Sequence, residues 1–119
     1  MDCATETPDQ DRLHPQPGDV LLVTDIQNDF LPGGSLAVAG GDEVVPVLNR
    51  YIAAFLAQGL PVYATRDWHL EGHCSFHAQG GPWPVHCVAG THGAAFAAML
   101  TLPPDTILIS KATSLDQEA

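Results

Sequence analysis

Basic side chains are scarce in this sequence. Arg12, Arg50, Arg66 and a single lysine, Lys111, stand against 14 acidic residues, for a formal net charge of −10. A surface of that sign repels phosphate backbones and anionic lipid headgroups, which argues against nucleic acid and membrane surfaces as partners. Long apolar runs are missing as well: none approaches the roughly 20 residues needed to cross a bilayer as a helix. The first residues show no basic region leading into an apolar stretch of signal-peptide type, so an export leader is not expected. Cysteine is sparse and odd in number (Cys3, Cys74 and Cys87). Free thiols in a reducing cytoplasm are therefore expected, not a disulfide framework. With one lysine present, any chemistry that needs an ammonium group has one candidate.

What is present suits a compact domain. The chain has 119 residues, with 45% hydrophobic and 15% charged, a size typical of one domain. Residues 1–18 are polar, acidic and proline-bearing with no apolar period, and are expected to form a flexible leader; residues 19–119 are expected to form one domain. Val20-Leu21-Leu22-Val23 is a continuous apolar run ending in Thr24-Asp25, the pattern of a strand buried on both faces in a parallel sheet. From Asp42 the period changes. Val44, Leu48, Ile52 and Phe55 recur every three or four residues, which predicts a helix capped by Asp42 and ended by Gly59 and Pro61. Val62-Tyr63-Ala64-Thr65 predicts a second strand, and the strand-helix-strand order predicts a parallel crossover unit. A long segment dense in Gly, Pro and His follows. The alanine-rich stretch from Ala94 to Leu100 predicts a short helix, and Thr106-Ile107-Leu108-Ile109-Ser110 a third buried strand.

The three strands end in Asp25, Asp67 and Lys111. The carboxyl ends of parallel strands share one edge of the sheet, and open parallel sheets bind ligands there. Asp and Lys also terminate apolar strands simply by meeting solvent, so the convergence of all three weighs more than any one. Asp67-Trp68-His69 sets a carboxylate and an imidazole two residues apart, hence on one side of an extended segment, with His73 and His86 in the loop beyond. One carboxylate and two or three imidazoles form a normal shell for Zn²⁺, and also suit Fe²⁺ or Mn²⁺ with water in the open positions. The plain alternative is that these are solvated loop histidines, of which the chain has others. Phe30 and Trp83 lie beside these polar groups in turn-rich segments, where they wall a pocket for a flat ring or else cover the edge of the core. Cys87 directly follows His86, but adjacent side chains point apart in an extended chain, so Cys87 reads as a small buried apolar residue.

Four segments together resemble the isochorismatase-like cysteine hydrolases, and within them the nicotinamidase (pyrazinamidase) branch: Asp25-Ile26-Gln27-Asn28-Asp29-Phe30, Gly33-Gly34-Ser35-Leu36, Asp67-Trp68-His69 with His73, and Trp83-Pro84-Val85-His86-Cys87-Val88. The first segment alone marks only the wider family. The resemblance implies an α/β fold: a partial doubly wound, Rossmann-like parallel sheet with helices on its faces. It implies that Asp25 accepts the proton of the nucleophile and that Lys111 is the supporting cation. Asp67, His69 and His86 become ligands of a divalent transition metal, zinc first and iron or manganese otherwise, with His73 a further ligand. Phe30 and Trp83 become walls of a pocket for a small amide, and the implied reaction is nicotinamide to nicotinate and ammonia, a step of NAD salvage. In the family the nucleophilic cysteine comes well after the lysine, and no residue here matches it. The expectation is therefore a truncated, N-terminal part of such a domain, inactive by itself. The rival expectations are a non-catalytic metal-binding fragment and a related amidohydrolase acting on another small amide. Three strands also leave a sheet edge open to association with a second copy.

Overall fold

The structure is a computed structural model and describes residues 14–118. The leader expected over residues 1–18 lies outside the described residues for positions 1–13, as does Cys3. Three parallel strands form one sheet in the order β1-β2-β3: β1 is Leu21–Thr24, β2 Val62–Asp67 and β3 Ile107–Lys111. Helix α1, Val44–Ala57, connects β1 to β2. The register aligns Val23 with Ala64 and Leu108, and Thr24 with Thr65 and Ile109.

Helix α1 forms where the 3.6-residue period sets it, and its inward side chains Val45, Ile52 and Phe55 join Val23, Val62, Ala64 and Leu100 in the core. Two details differ from the sequence reading. The helix is not capped by the Asp42 side chain; a 3₁₀ turn over Gly41–Glu43 feeds into it, with Glu43 at the cap position and no side-chain cap bond. Val45 is buried where Val44 is 43% exposed, because that entry turn rotates the first residues of the helix. The C-terminus ends as expected. Gly59 takes φ +68°, in the left-handed region open to glycine, and Leu60 N–H returns to the Phe55 carbonyl at 2.9 Å.

The expectation of strands buried on both faces holds only in part. Among the described residues α1 covers one face alone. On the other, Leu22 aligned with Ile107 through Tyr63, and Ile109 aligned with Thr24 through Thr65, stay exposed. All of Ile107, Leu108, Ile109 and Ser110 are exposed, since β3 is an outer strand that α1 does not reach. The helix expected over the alanine-rich stretch does not form. Residues 94–100 are turns and bends whose backbone is drawn into tertiary pairing: Asn28 N–H donates to the Ala95 carbonyl at 2.9 Å and Ala97 N–H to the Ile26 carbonyl at 2.9 Å. Helix propensity is a weak preference that such pairing overrides.

Candidate active site and metal centre

Polar side chains are buried mainly in one region of this molecule, the carboxyl edge of the sheet. Gln27, Asp67, His69, His73, Ser75 and His86 are all buried there. Burial of so many polar groups is costly unless each is paired or bound, so their partners define what the site can do.

The three strand-end residues meet. Lys111 Nζ donates to Asp25 Oδ2 at 2.9 Å and to Asp67 Oδ1 at 2.7 Å. Thr65, between them on β2, donates its hydroxyl to the other Asp25 oxygen at 2.7 Å. Asp25 has φ +56°, a left-handed conformation that side-chain-bearing residues rarely adopt. That turn takes the chain out of the sheet directly after β1 and leaves the Asp25 carboxylate over the strand ends. Burial pulls the Lys111 ammonium down, but hydrogen bonds and charges from Asp25 and Asp67 outweigh it, and the net pKa is raised. Lys111 is thus held as a cation between two carboxylates.

Asp67 uses its second oxygen differently. Oδ2 lies 3.5 Å from His69 Nε2 and 4.0 Å from His86 Nε2, beyond good hydrogen-bond distance. The tautomers follow from the opposite ring nitrogens. His69 Nδ1 faces the Ala112 carbonyl at 3.0 Å and His86 Nδ1 the Pro84 carbonyl at 2.8 Å. A carbonyl only accepts, so in the neutral rings both Nδ1 atoms carry the proton and both Nε2 atoms present a lone pair. Desolvation lowers the pKa of His69, with charges from His73 and His86 adding to it against the raising effects of the Ala112 carbonyl and Asp67. His69 Nε2 is buried and without a hydrogen-bond partner. Two lone pairs and a carboxylate oxygen therefore point at one spot, all within 4.8 Å of one another. Such a set is mutually repulsive without a cation at its centre. With nitrogen and oxygen donors at about 2 Å from a metal, small side-chain rotations would close it, so these residues fit a divalent transition metal.

The structure does not bring His73 into this set. Its Nε2 donates to the Gln117 carbonyl at 2.7 Å and its Nδ1 accepts from the Ser75 hydroxyl at 2.8 Å. Both nitrogens are engaged, and the ring stacks on His69 with centroids 4.1 Å apart. Phe30 and Trp83 line different cavities. Phe30 lies with Asp25, Thr24, Ile26 and Val38 around a cavity of about 300 Å³, and its ring centroid is 5.8 Å from that of His86. Trp83, 46% exposed, lies with Asp67, His69 and His86 around a smaller one of about 100 Å³. Neither cavity is lined by a cysteine. Cys87 is buried as expected, and burial with the nearby charges of Asp67, Asp29 and Asp25 pushes its thiol up to about 12.

Three residues of the site escaped the sequence reading. Gln27 is fully buried and bonds the backbone of Asp67. Asp29 accepts the Cys87 N–H at 2.8 Å, which fixes Cys87 in a left-handed conformation at φ +50° between His86 and the His69–Val88 bridge. Ala112, also left-handed at φ +52°, turns its carbonyl onto His69. Gln27 and Asp29 do lie in the quoted Asp25–Phe30 segment, whose polar density was the available signal; for Ala112 there was none.

Comparison with known proteins agrees with this geometry. The family profile described as isochorismatase domain matches residues 19–114. The chain is 37% identical over 107 residues to the nicotinamidase of Acinetobacter baylyi, covering 76% of this chain and 48% of that protein. The crystal structure of the pyrazinamidase of Pyrococcus horikoshii in complex with zinc superposes with a TM-score of 0.83 at 51% identity, over 87% of this chain and 56% of that one. The PnC1 protein of L. infantum in complex with nicotinate gives a TM-score of 0.74 at 42% identity, over 82% of this chain and 48% of that one. The chain thus spans about half the length of the curated relatives it matches.

Proposed function

The chain belongs to the isochorismatase family, and from that premise we propose that it carries the metal-binding and acid–cation part of a nicotinamidase-type site, acting on a small pyridine carboxamide such as nicotinamide. The observation that carries the reading is the convergence of the Asp67 carboxylate with the two Nε2 lone pairs of His69 and His86 beside the Asp25–Lys111 pair. Asp67, His69 and His86 would hold the metal, with zinc the first choice for this donor set and iron or manganese the others. When bound, the metal supplies a Lewis-acid contact for a ring nitrogen or a water beside the amide. His73 is not needed as a ligand in this reading; it buttresses His69 by stacking.

The chain's own residues divide the remaining work. Asp25, whose two oxygens each accept one hydrogen bond, from Lys111 and from Thr65, and each keep a second lone pair, takes the proton of an attacking thiol and returns it to the departing ammonia. Lys111 stands where its charge favours that thiolate and the developing oxyanion. Phe30 and Trp83 each line one of the two cavities, where an aromatic face would meet a flat ring. The thiol itself is assigned to no described residue. Metal content of the purified chain, measured beside His69→Ala and His86→Ala, tests the site: close to one divalent ion per wild-type chain and far less in both variants is expected. Equal content in all three would remove the metal assignment.

A second reading is favoured by one observation, that neither cavity is lined by a described cysteine. On that reading the 119-residue chain binds metal and turns over no amide by itself. Ammonia release from nicotinamide should then stay at background. Turnover that vanishes in Cys74→Ala would place the nucleophile in this chain and overturn it.

A further inference from the structure

Strand β1 leaves the sheet before β2 ends. Their last pair is Thr24 with Thr65, the Asp25 N–H still bonds the Thr65 carbonyl at 3.1 Å, and the chain then turns away through left-handed Asp25. β2 runs on to Asp67. On its far side this end is held by β3, with Asp67 aligned to Lys111 and Trp68 N–H bonded to the Lys111 carbonyl at 3.1 Å. On the vacated side, the N–H and C=O of Asp67 have lost their strand.

The side chain of Gln27 takes the place of that strand. Its Oε1 accepts the Asp67 N–H at 2.9 Å and its Nε2 donates to the Asp67 carbonyl at 2.7 Å. The second N–H of the amide goes to the Ala94 carbonyl at 2.9 Å. Gln27 has no exposed surface, so these bonds are made away from water, where leaving one unmade is expensive. A single hydrogen bond would let the Asp67 backbone pivot; bonds to both of its polar groups prevent that. This matters because the Asp67 carboxylate has two duties, one oxygen on Lys111 at 2.7 Å and the other 3.5 Å from His69 Nε2, and a rotation that improves one spoils the other.

We infer that Gln27 is a positioning residue for the metal centre: its buried carboxamide, paired both ways with the backbone of Asp67, aims that carboxylate at Lys111 and at the two imidazoles together. The inference rests on the metal reading of Asp67, His69 and His86. Outer partners that orient a ligand in this way commonly govern metal affinity by about 10- to 100-fold.

The test is a cobalt(II) titration of the chelator-stripped 119-residue chain, followed by the visible absorption bands that report coordination, with thermal melting in parallel. Gln27→Met fills the same space without the hydrogen bonds, and Val23→Ala is a control that weakens the core away from the site. Gln27→Met is expected to bind cobalt about tenfold or more weakly with altered bands, while Val23→Ala, though less stable, keeps the wild-type affinity and spectrum. Gln27→Met titrating like the wild type would overturn the inference and leave the metal reading standing. A wild type that takes up no cobalt would remove both. If Gln27→Met does not fold, amide exchange in the wild-type chain decides: an Asp67 N–H protected like that of Ala64 supports the clamp, and one that exchanges as freely as a loop amide overturns it.

Discussion

Lys111 is placed where a lost charge is felt twice. It separates the Asp25 and Asp67 carboxylates by bonding both, and hydrogen bonds to charged groups are each worth about 1.5 to 3 kcal/mol. Lys111→Met keeps most of the side-chain volume and leaves two carboxylates facing each other. It should lower the unfolding free energy of the chain by about 1.5 to 3 kcal/mol in urea melts at neutral pH, while metal content stays near that of the wild type because no ligand has gone. A change within about 0.5 kcal/mol, the range of ordinary surface substitutions, would show that Lys111 is only a solvated strand terminus. Gly93 offers a second residue-level check. A Cβ there would collide with the Asp29 carboxylate, the group that holds the Cys87 N–H. Gly93→Ala should cost about 1 to 3 kcal/mol, as overpacking usually does, and weaken metal binding through displaced His86; unchanged stability and metal content would count against the role of Asp29. Cys87 itself has no exposed surface and a raised thiol pKa, so at pH 8 iodoacetamide should label Cys74 well before Cys87 in the native chain, with the difference erased in urea.

At the scale of elements, the parts fixed by local pattern were legible and those fixed by distant pairing were not. Helix α1 and the cores of all three strands follow from apolar period and run length, and Asp25, Asp67 and Lys111 could be named because each ends a strand. The alanine stretch at 94–100 misled because its backbone is taken by Ile26, Asn28 and the Gln27 side chain. The contact of Gln27 with Asp67 spans 40 positions and that of Asp29 with Cys87 spans 58; neither leaves a periodic trace. His73 could be recognised as part of the histidine group, but whether its nitrogens face the metal or Ser75 and Gln117 depends on where the segment after β3 returns. The long loop between β2 and β3 has few regular elements, a 3₁₀ turn at His77–Gln79 and isolated bridges at His69–Val88, Phe76–Trp83 and from Phe96 to Gln27. Metal should therefore stabilise it strongly. Zinc at a hundredfold excess over its dissociation constant adds about 2.7 kcal/mol to any protein that binds it only when folded. The chain should accordingly melt several degrees lower after chelation, with amide protection lost first in residues 69–88. His69→Ala should melt at one temperature with or without zinc. A wild type equally indifferent to zinc would contradict the metal assignment.

At the scale of the whole molecule, the sheet is covered on one face only among the described residues. With α1 on one face, Leu22, Ile107 and Ile109 stand exposed on the other, and β3 is an outer strand along its full length. Open edges and apolar faces of this kind associate. Sedimentation of the 119-residue chain should show mass rising with concentration, and Ile107→Gln combined with Ile109→Gln should shift it towards monomer; a strict monomer at high concentration in the unaltered chain would refute this. The charge balance has a practical outcome of another kind. Apart from an α-amino terminus, the sequence holds one primary amine, that of Lys111, and it is tied to two carboxylates at the strand ends. Succinimidyl dyes, glutaraldehyde and amine-coupled sensor chips have no surface lysine to attach to elsewhere. Any attachment beyond the terminus is made inside the site, so the number of dyes taken up per chain reports directly on whether Lys111 is engaged.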